Sequence, residues 1–187
     1  MKIISFYKNE KQLIKKSALG NREAQQHLFE KYSPKMLGVC RQYIKDIHFA
    51  EDVMIEGFVK VFKSLDTFRF EGSFEGWMRR IMVRESISFL RKRQFIVYDD
   101  SVYEQVSEQS EPLSTDLDVA HIQNLIDNLP EGYRAVFGLF AIEGYSHTEI
   151  AELLNISEGT SRSQLFKSRK MLKEKLKQQN IIGYGTE

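Results

Sequence analysis

Residues 144–176 read GYSHTEIAELLNISEGTSRSQLFKSRKMLKEKL, and two helix starts stand within that one stretch. Ser146 with Glu149 three residues later makes a full capping box, in which side chains satisfy backbone N–H groups that a helix start leaves open. Ser157 with Thr160 repeats the spacing in partial form, because threonine stands where a glutamate would complete the box. Between the two starts, Ile150, Ala151 and Leu154 supply the inner face of a short helix, and Asn155 and Ile156 the turn. Ser161, Leu165, Ser168 and Leu172 line the inner face of the next helix. Two capped helices around a tight turn predict a helix-turn-helix. Its second helix would present Arg162, Ser163, Phe166, Lys167, Arg169, Lys170 and Lys173 outward. Polar groups near the N-terminus of such a helix reach base edges in the major groove, and lysines neutralise phosphates. Arg162 is the side chain best suited to bidentate contact with a guanine. A solvated basic face on a surface helix is the plainer alternative, but the stacked caps and the turn favour DNA.

Outward from this segment, helical patterning continues. Ile122, Leu125, Ile126 and Leu129 form a stripe that stops at Pro130 and restarts with Tyr133, Val136, Phe137 and Phe140 until Gly144. From Gln94 to about Leu117 the chain turns to Ser, Glu, Asp and Gln, which bury too little apolar surface to offset ordering entropy. A linker is expected there. In the first half, helices are predicted from Glu10 to Ala18, broken by Gly20, and from Asn21 to Tyr32 with Ala24, Leu28 and Tyr32 on one face. Ser33 and Pro34 read as an N-cap and first position starting a third helix, with Met36, Val39, Cys40 and Tyr43 as its stripe. A fourth runs from Ala50 to Leu65 through Met54, Phe58, Val61 and Phe62, and a fifth from about Glu75 to Arg93. No period-2 strand pattern accompanies them. The expected fold is therefore all-α, with small helical domains at 1–95 and 118–180 joined by a flexible acidic linker at 96–117.

Charge is distributed unevenly along the chain. The net charge of +1 argues against a polycationic coat, yet Arg79 to Arg93 holds six basic residues against one acidic. Glu158 to Lys177 holds seven against two, and Gln94 to Tyr133 has no Lys or Arg. Two basic patches thus flank an acidic bridge. Beside the first patch stand Phe68, Phe70, Phe74 and Trp77, which on composition alone could seal the end of a helical bundle. The stripe Arg80, Arg84, Ser88 and Arg91 shares one helix face with them at hand, and aromatic rings beside a basic groove suit unstacked bases. His27, His48, His121 and His147 have no cysteine or carboxylate at ligand spacing, so no metal is expected. No phosphate loop, dinucleotide fingerprint or nucleophile elbow occurs, and neither a cofactor nor catalysis is expected. Cys40 lies in an apolar helical pattern and reads as a buried thiol. No apolar run approaches the roughly 18 residues of a membrane span. The opening MKIISFYKNEKQ lacks a secretory core, so a cytoplasmic protein without membrane insertion is expected.

Four stretches in order, AQQHLFEKYSPKML (24–37), AEDVMIEGFVKVFKSLDTF (50–68), SFEGWMRRIMVRESISFLRKR (73–93) and the segment from Leu129 to Leu176, resemble the two domains of extracytoplasmic-function sigma factors. The resemblance implies a domain 2 that binds the clamp helices of core RNA polymerase and captures the promoter minus-10 element. It implies a domain 4 that binds the polymerase flap and reads the minus-35 element, with an extended linker between, and an anti-sigma factor as a further partner. Asp52, Val53, Glu56 and Phe58 match the clamp-binding surface. Phe68 to Phe74 match the loop that holds a flipped promoter base, so Phe68, Phe70, Phe74, Trp77, Arg80, Arg84, Ser88 and Arg91 are the expected minus-10 set. Arg162, Ser163, Gln164, Phe166, Lys167 and Lys170 are the expected minus-35 set. The chain departs from the family pattern at Ile55, where Gln is common, at Arg84 and Ser88, where Asn and Asp are common, and at Gln164, where Arg is frequent. A sigma-like decoy that sequesters an anti-sigma factor without touching a promoter is the rival reading, and the base-reading residues speak against it. A free-standing helix-turn-helix regulator would need a dimer interface in place of the polymerase-binding half.

Overall fold

The computed structural model describes residues 10–92 and 119–178, and the expected linker lies outside the described residues. All regular structure among the described residues is helical. The helices fall into two units, with the division in the last turn of the fourth helix.

The first unit begins with α1 (Glu10–Ala18), α2 (Arg22–Arg41), α3 (Ile47–Lys63) and α4 (Phe74–Lys92). The corner between α1 and α2 is tight. Gly20 adopts φ +80°, a left-handed conformation that glycine reaches without a side-chain clash, and Asn21 caps α2 by accepting the Ala24 N–H at 2.8 Å. Glu10 on α1 accepts hydrogen bonds from Lys31 at 2.5 Å and from the Tyr32 hydroxyl, which fastens α1 to the middle of α2.

The expected break at Ser33–Pro34 does not occur. α2 passes straight through Pro34, and its stripe of Ala24, Leu28, Tyr32, Met36, Val39 and Cys40 is buried along the whole length. Pro34 and Glu30 are both exposed, so the carbonyl deprived of its N–H partner faces water while packing on either side holds the helix together. Burial pushes the Cys40 thiol up to about 11. α3 starts three residues earlier than expected because Asp46 is its N-cap, accepting from His48 and Phe49 backbone N–H groups at 2.9 and 3.2 Å. Gly57 lets α3 and α4 approach closely, since a Cβ placed there would lie 2.4 Å from Met82 Sδ.

The second unit comprises α5 (Val119–Asp127), α6 (Glu131–Phe137) continued by a π-helical segment (Gly138–Ile142), α7 (His147–Leu154) and α8 (Glu158–Gln178). α5, α6 and α7 all pack on α8. The buried face of α6 is Arg134, Ala135 and Val136 followed by Gly138 and Leu139, whereas Tyr133, Phe137 and Phe140 are only partly covered. Arg134 points its guanidinium inward and donates from Nη1 to the Asp127 carbonyl at 3.2 Å, closing the C-terminal end of α5. Gly144, at φ +76°, ends the π segment as expected.

Candidate nucleic-acid interface

The helix-turn-helix forms with both expected caps. Ser146 Oγ accepts the Glu149 N–H at 3.3 Å, and Glu149 accepts the Ser146 N–H at 2.8 Å. Ser157 Oγ accepts the Thr160 N–H at 2.9 Å. Asn155 makes the turn at φ 55°, ψ 49°, the left-handed conformation that asparagine tolerates better than other side-chain-bearing residues. Ile150, Leu154, Ser161, Leu165 and Ser168 are buried, so the opposite side of α8 is left to solvent.

That outward side holds Arg162, Ser163, Phe166, Arg169, Lys170 and Lys173, with Lys167 half-buried among them. Phe166 is 70% exposed. A large ring left in water on a helix whose other face is buried from Ser161 to Ser168 is an unusual expense, and an apolar group there suits a thymine methyl in a major groove. Gln164 is corrected by the structure. It is 8% exposed and its amide packs against Gly132 of α6, because position 164 falls beside Ser161, Leu165 and Ser168 on the packed face. Arg162 is not a loose cation: its Nη2 donates to Glu158 Oε2 at 3.0 Å, and Glu158 Oε1 accepts from Thr148 Oγ1 of α7 at 2.8 Å. The hydrogen bond from Thr148, and then the one from Arg162, hold the Glu158 carboxyl below the usual carboxylate range. His147 Nδ1 lies 2.8 Å from Ser161 Oγ with its ring stacked on Phe140 at 4.7 Å, and the Arg169 guanidinium stands 5.5 Å from the same Phe140 ring.

In the first unit the aromatic residues converge. Phe68 lies 4.9 Å from Phe70, 5.1 Å from Phe74 and 5.5 Å from Trp77 between ring centroids. Phe74 is a floor rather than a contact surface, since it is buried against Tyr32 at 5.7 Å. Phe68 and Trp77 are half-exposed and Phe70 is exposed, so the open part of the cluster is these three rings. Phe70 holds φ 59°, a conformation that costs a residue with a side chain about 1–2 kcal/mol, and Lys11 Nζ stands 5.2 Å from its ring centroid. Beyond Trp77 on α4, Arg80, Arg84 and Arg91 are exposed and Ser88 is half-buried, while Arg79 turns aside to donate to Gln42 Oε1 at 3.1 Å. Aromatic faces next to a row of guanidinium groups can stack bases and hold the strand's phosphates.

α3 presents a third surface, and here two expected residues are corrected. Val53 and Phe58 are core positions, with Phe58 packed on Phe29 at 4.8 Å. Helical spacing turns the opposite face outward: Asp52, Glu56, Ile55 at 51% exposure and Val59 at 46%. Val59 was missed although it lies at i+4 from Ile55 and i+7 from Asp52, spacing that marks it as part of this face. Among the described residues, no group of three His, Cys, Asp or Glu side chains is placed to hold a metal ion, and no helix is long and apolar enough to cross a membrane.

Two family models match the chain: Sigma-70 region 2 over residues 28–96, and Sigma-70, region 4, over residues 121–172. The chain belongs to the sigma-70 family. Curated relatives place it in the ECF group of RNA polymerase sigma factors. It is similar to the ECF RNA polymerase sigma-E factor of Haemophilus influenzae, 29% identical over 180 residues, covering 88% of this chain and 93% of the relative. It is similar also to the ECF RNA polymerase sigma factor SigW of Bacillus subtilis, 28% identical over 89% of this chain and 96% of that one. Among solved structures, the sigma factor RpoE in complex with the anti-sigma factor NepR from Bartonella quintana matches with a TM-score of 0.49 and 22% identity, covering 81% of this chain and 96% of that one. The region 2 match takes in α2 from Leu28 onward, α3, the aromatic cluster and the arginine row of α4, and the region 4 match takes in α7 and α8 as far as Leu172. As a sigma factor of this group, the protein binds core RNA polymerase and directs it to promoters.

Proposed function

We propose that this sigma factor reads its promoter with two separate surfaces of unlike chemistry, and that it has no catalytic step of its own. Arg162, Ser163, Phe166, Lys167 and Lys170 on α8 read the minus-35 element as duplex, through hydrogen bonds to base edges, apolar contact and phosphate neutralisation. Phe68, Phe70 and Trp77, with Arg80, Arg84, Ser88 and Arg91, take an unstacked base and the backbone of the melted minus-10 strand. Extruding a base costs a few kcal/mol, which a preformed aromatic site offsets. Asp52, Ile55, Glu56 and Val59 dock on the polymerase clamp. The two DNA-binding domains correspond to residues 1–95 and 118–180, with 96–117 as the linker, and the protein acts in the cytoplasm. An anti-sigma factor that covers these surfaces in the free state belongs to the same reading.

The observation that carries it is the exposed row on α8, where an aromatic ring and cations stand together on the side that the packed helix-turn-helix turns to solvent. A decoy has no use for that row. Run-off transcription over a randomised promoter library, with cognate core polymerase and with or without the protein, tests the reading. Transcripts that appear only with the protein and share sequence at both elements are expected. No transcripts, with core binding intact, would leave the decoy.

A further inference from the structure

Thr148, Glu158 and Arg162 form a hydrogen-bonded chain that crosses from α7 to α8 and ends on the side chain proposed to read a guanine. The two carboxylate oxygens have different duties: Oε1 is held by the Thr148 hydroxyl at 2.8 Å, and Oε2 receives Arg162 Nη2 at 3.0 Å. Glu158 is 43% and Arg162 64% exposed at the side chain, so both remain at the surface where DNA would lie. A carboxylate in that position is a liability for DNA binding, because it faces phosphates of like charge. Its retention next to the reading arginine calls for a compensating role.

We propose that Glu158 is a positioning residue for base specificity, holding the Arg162 guanidinium in the orientation that meets a guanine, with Thr148 as the anchor. Guanidinium has five N–H donors, and one bond from Nη2 to Glu158 leaves the remaining donors free for the O6 and N7 acceptors of guanine. An unrestrained arginine loses much rotamer freedom when it is immobilised, and an arginine already held loses less, so the specific complex gains while the non-specific one does not. The inference rests on the proposed reading that Arg162 contacts the minus-35 element.

The test uses the holoenzyme with full-length protein. Selection from a randomised minus-35 region with the unaltered protein and with Arg162→Ala first identifies the base whose preference depends on Arg162. Relative binding to the preferred and a substituted base at that position is then measured for Glu158→Ala, Thr148→Val and Thr148→Ser, alongside affinity for DNA of unrelated sequence. Glu158→Ala is expected to lower discrimination about two- to tenfold while affinity for unrelated DNA stays level or rises, since a negative charge has gone. Thr148→Val is expected to lose discrimination to a smaller degree, and Thr148→Ser, which keeps the hydroxyl, to retain it. If Glu158 were only a repelling charge, Glu158→Ala would tighten binding to every sequence with discrimination unchanged, and that result overturns the proposal. If Arg162→Ala changes preference but Glu158→Ala does not, positioning fails while the reading role of Arg162 stands. If Arg162→Ala leaves every preference unchanged, the base-reading assignment fails and the positioning role falls with it. Helical circular dichroism and core binding of each variant separate these outcomes from misfolding.

Discussion

Arg134 places a guanidinium at 1% exposure in the interior of the second unit, where its Nη1 closes the end of α5 through the Asp127 carbonyl. Carbonyls at a helix C-terminus are both short of donors and partially negative, so a buried cation there is well placed. Arg134→Ala removes a large buried side chain and leaves a carbonyl without that donor, and is expected to cost about 3 kcal/mol or more. Arg134→Met keeps most of the volume and should cost less. Chemical denaturation of both variants checks this, and a change within roughly 0.5 kcal/mol for the alanine variant would mean that the site collapses without penalty. At the surface the expected loss is one of selectivity instead. Under the proposed minus-35 reading, Arg162→Ala is expected to lower discrimination at one promoter position by about 1–3 kcal/mol with little change in stability, measured as competitive binding of promoter variants by holoenzyme. Promoter choice identical to that of the unaltered protein would remove Arg162 from the reading set.

For the helices as units, the attachment of α1 to α2 runs through Glu10. Hydrogen bonds from Lys31, and then from Tyr32, keep the Glu10 carboxyl below its ordinary 4.5. A carboxyl depressed in the folded state adds stability above its unfolded titration range and loses it as pH falls through the folded value. Glu10→Gln should therefore lower the melting temperature at neutral pH and shrink the difference from the unaltered protein below about pH 4.5. A difference that is constant with pH would rule out this linkage. On α3, Ile55→Asp is expected to weaken core polymerase binding by about 1 kcal/mol or more with unchanged melting, whereas Val53→Ala should destabilise the fold first. Loss of melting temperature in Ile55→Asp would place that residue in the core. Much of this level was legible in the chain. The capping box at Ser146, the partial one at Ser157, Gly20 and Gly144 mark ends by local chemistry and were found where expected. Pro34 misled because packing on both sides of it, which no local signal records, outweighed one missing hydrogen bond. Val53, Phe58, Phe74 and Gln164 were named as contact residues by matching positions, and position in a motif does not say which way a side chain faces. Helical phase does, and it assigns the first two and Gln164 to the packed side.

Across the whole molecule, the proposed function depends on two modest DNA contacts made by one chain. The second contact forms at an effective concentration set by the tether, so the joint affinity exceeds that of either surface alone. Contacts at elements this far apart on the duplex share no partners, and losses from Arg84→Ala and Lys170→Ala are expected to add within about 0.5 kcal/mol in promoter binding at fixed salt. A coupling well above 1 kcal/mol in the double variant would show that the surfaces do not act independently. Kinetics should separate them further, with Arg84→Ala slowing promoter opening more than it weakens core binding. Under the proposed reading, a partition into an aromatic site for single strands and a helix-turn-helix for duplex accounts for the different exposed side chains of the two halves, though both are helical.

Under the proposed minus-10 reading, Phe70 sets selection for folding against selection for use. At φ 59° a glycine would sit more easily than phenylalanine, by about 1–2 kcal/mol, and an asparagine by less. Directed evolution of this gene for heat resistance alone should drift away from the aromatic ring at position 70, and the surviving clones would be sturdier proteins that start transcription poorly. Screened for transcript output, the same library should keep the ring and its strain.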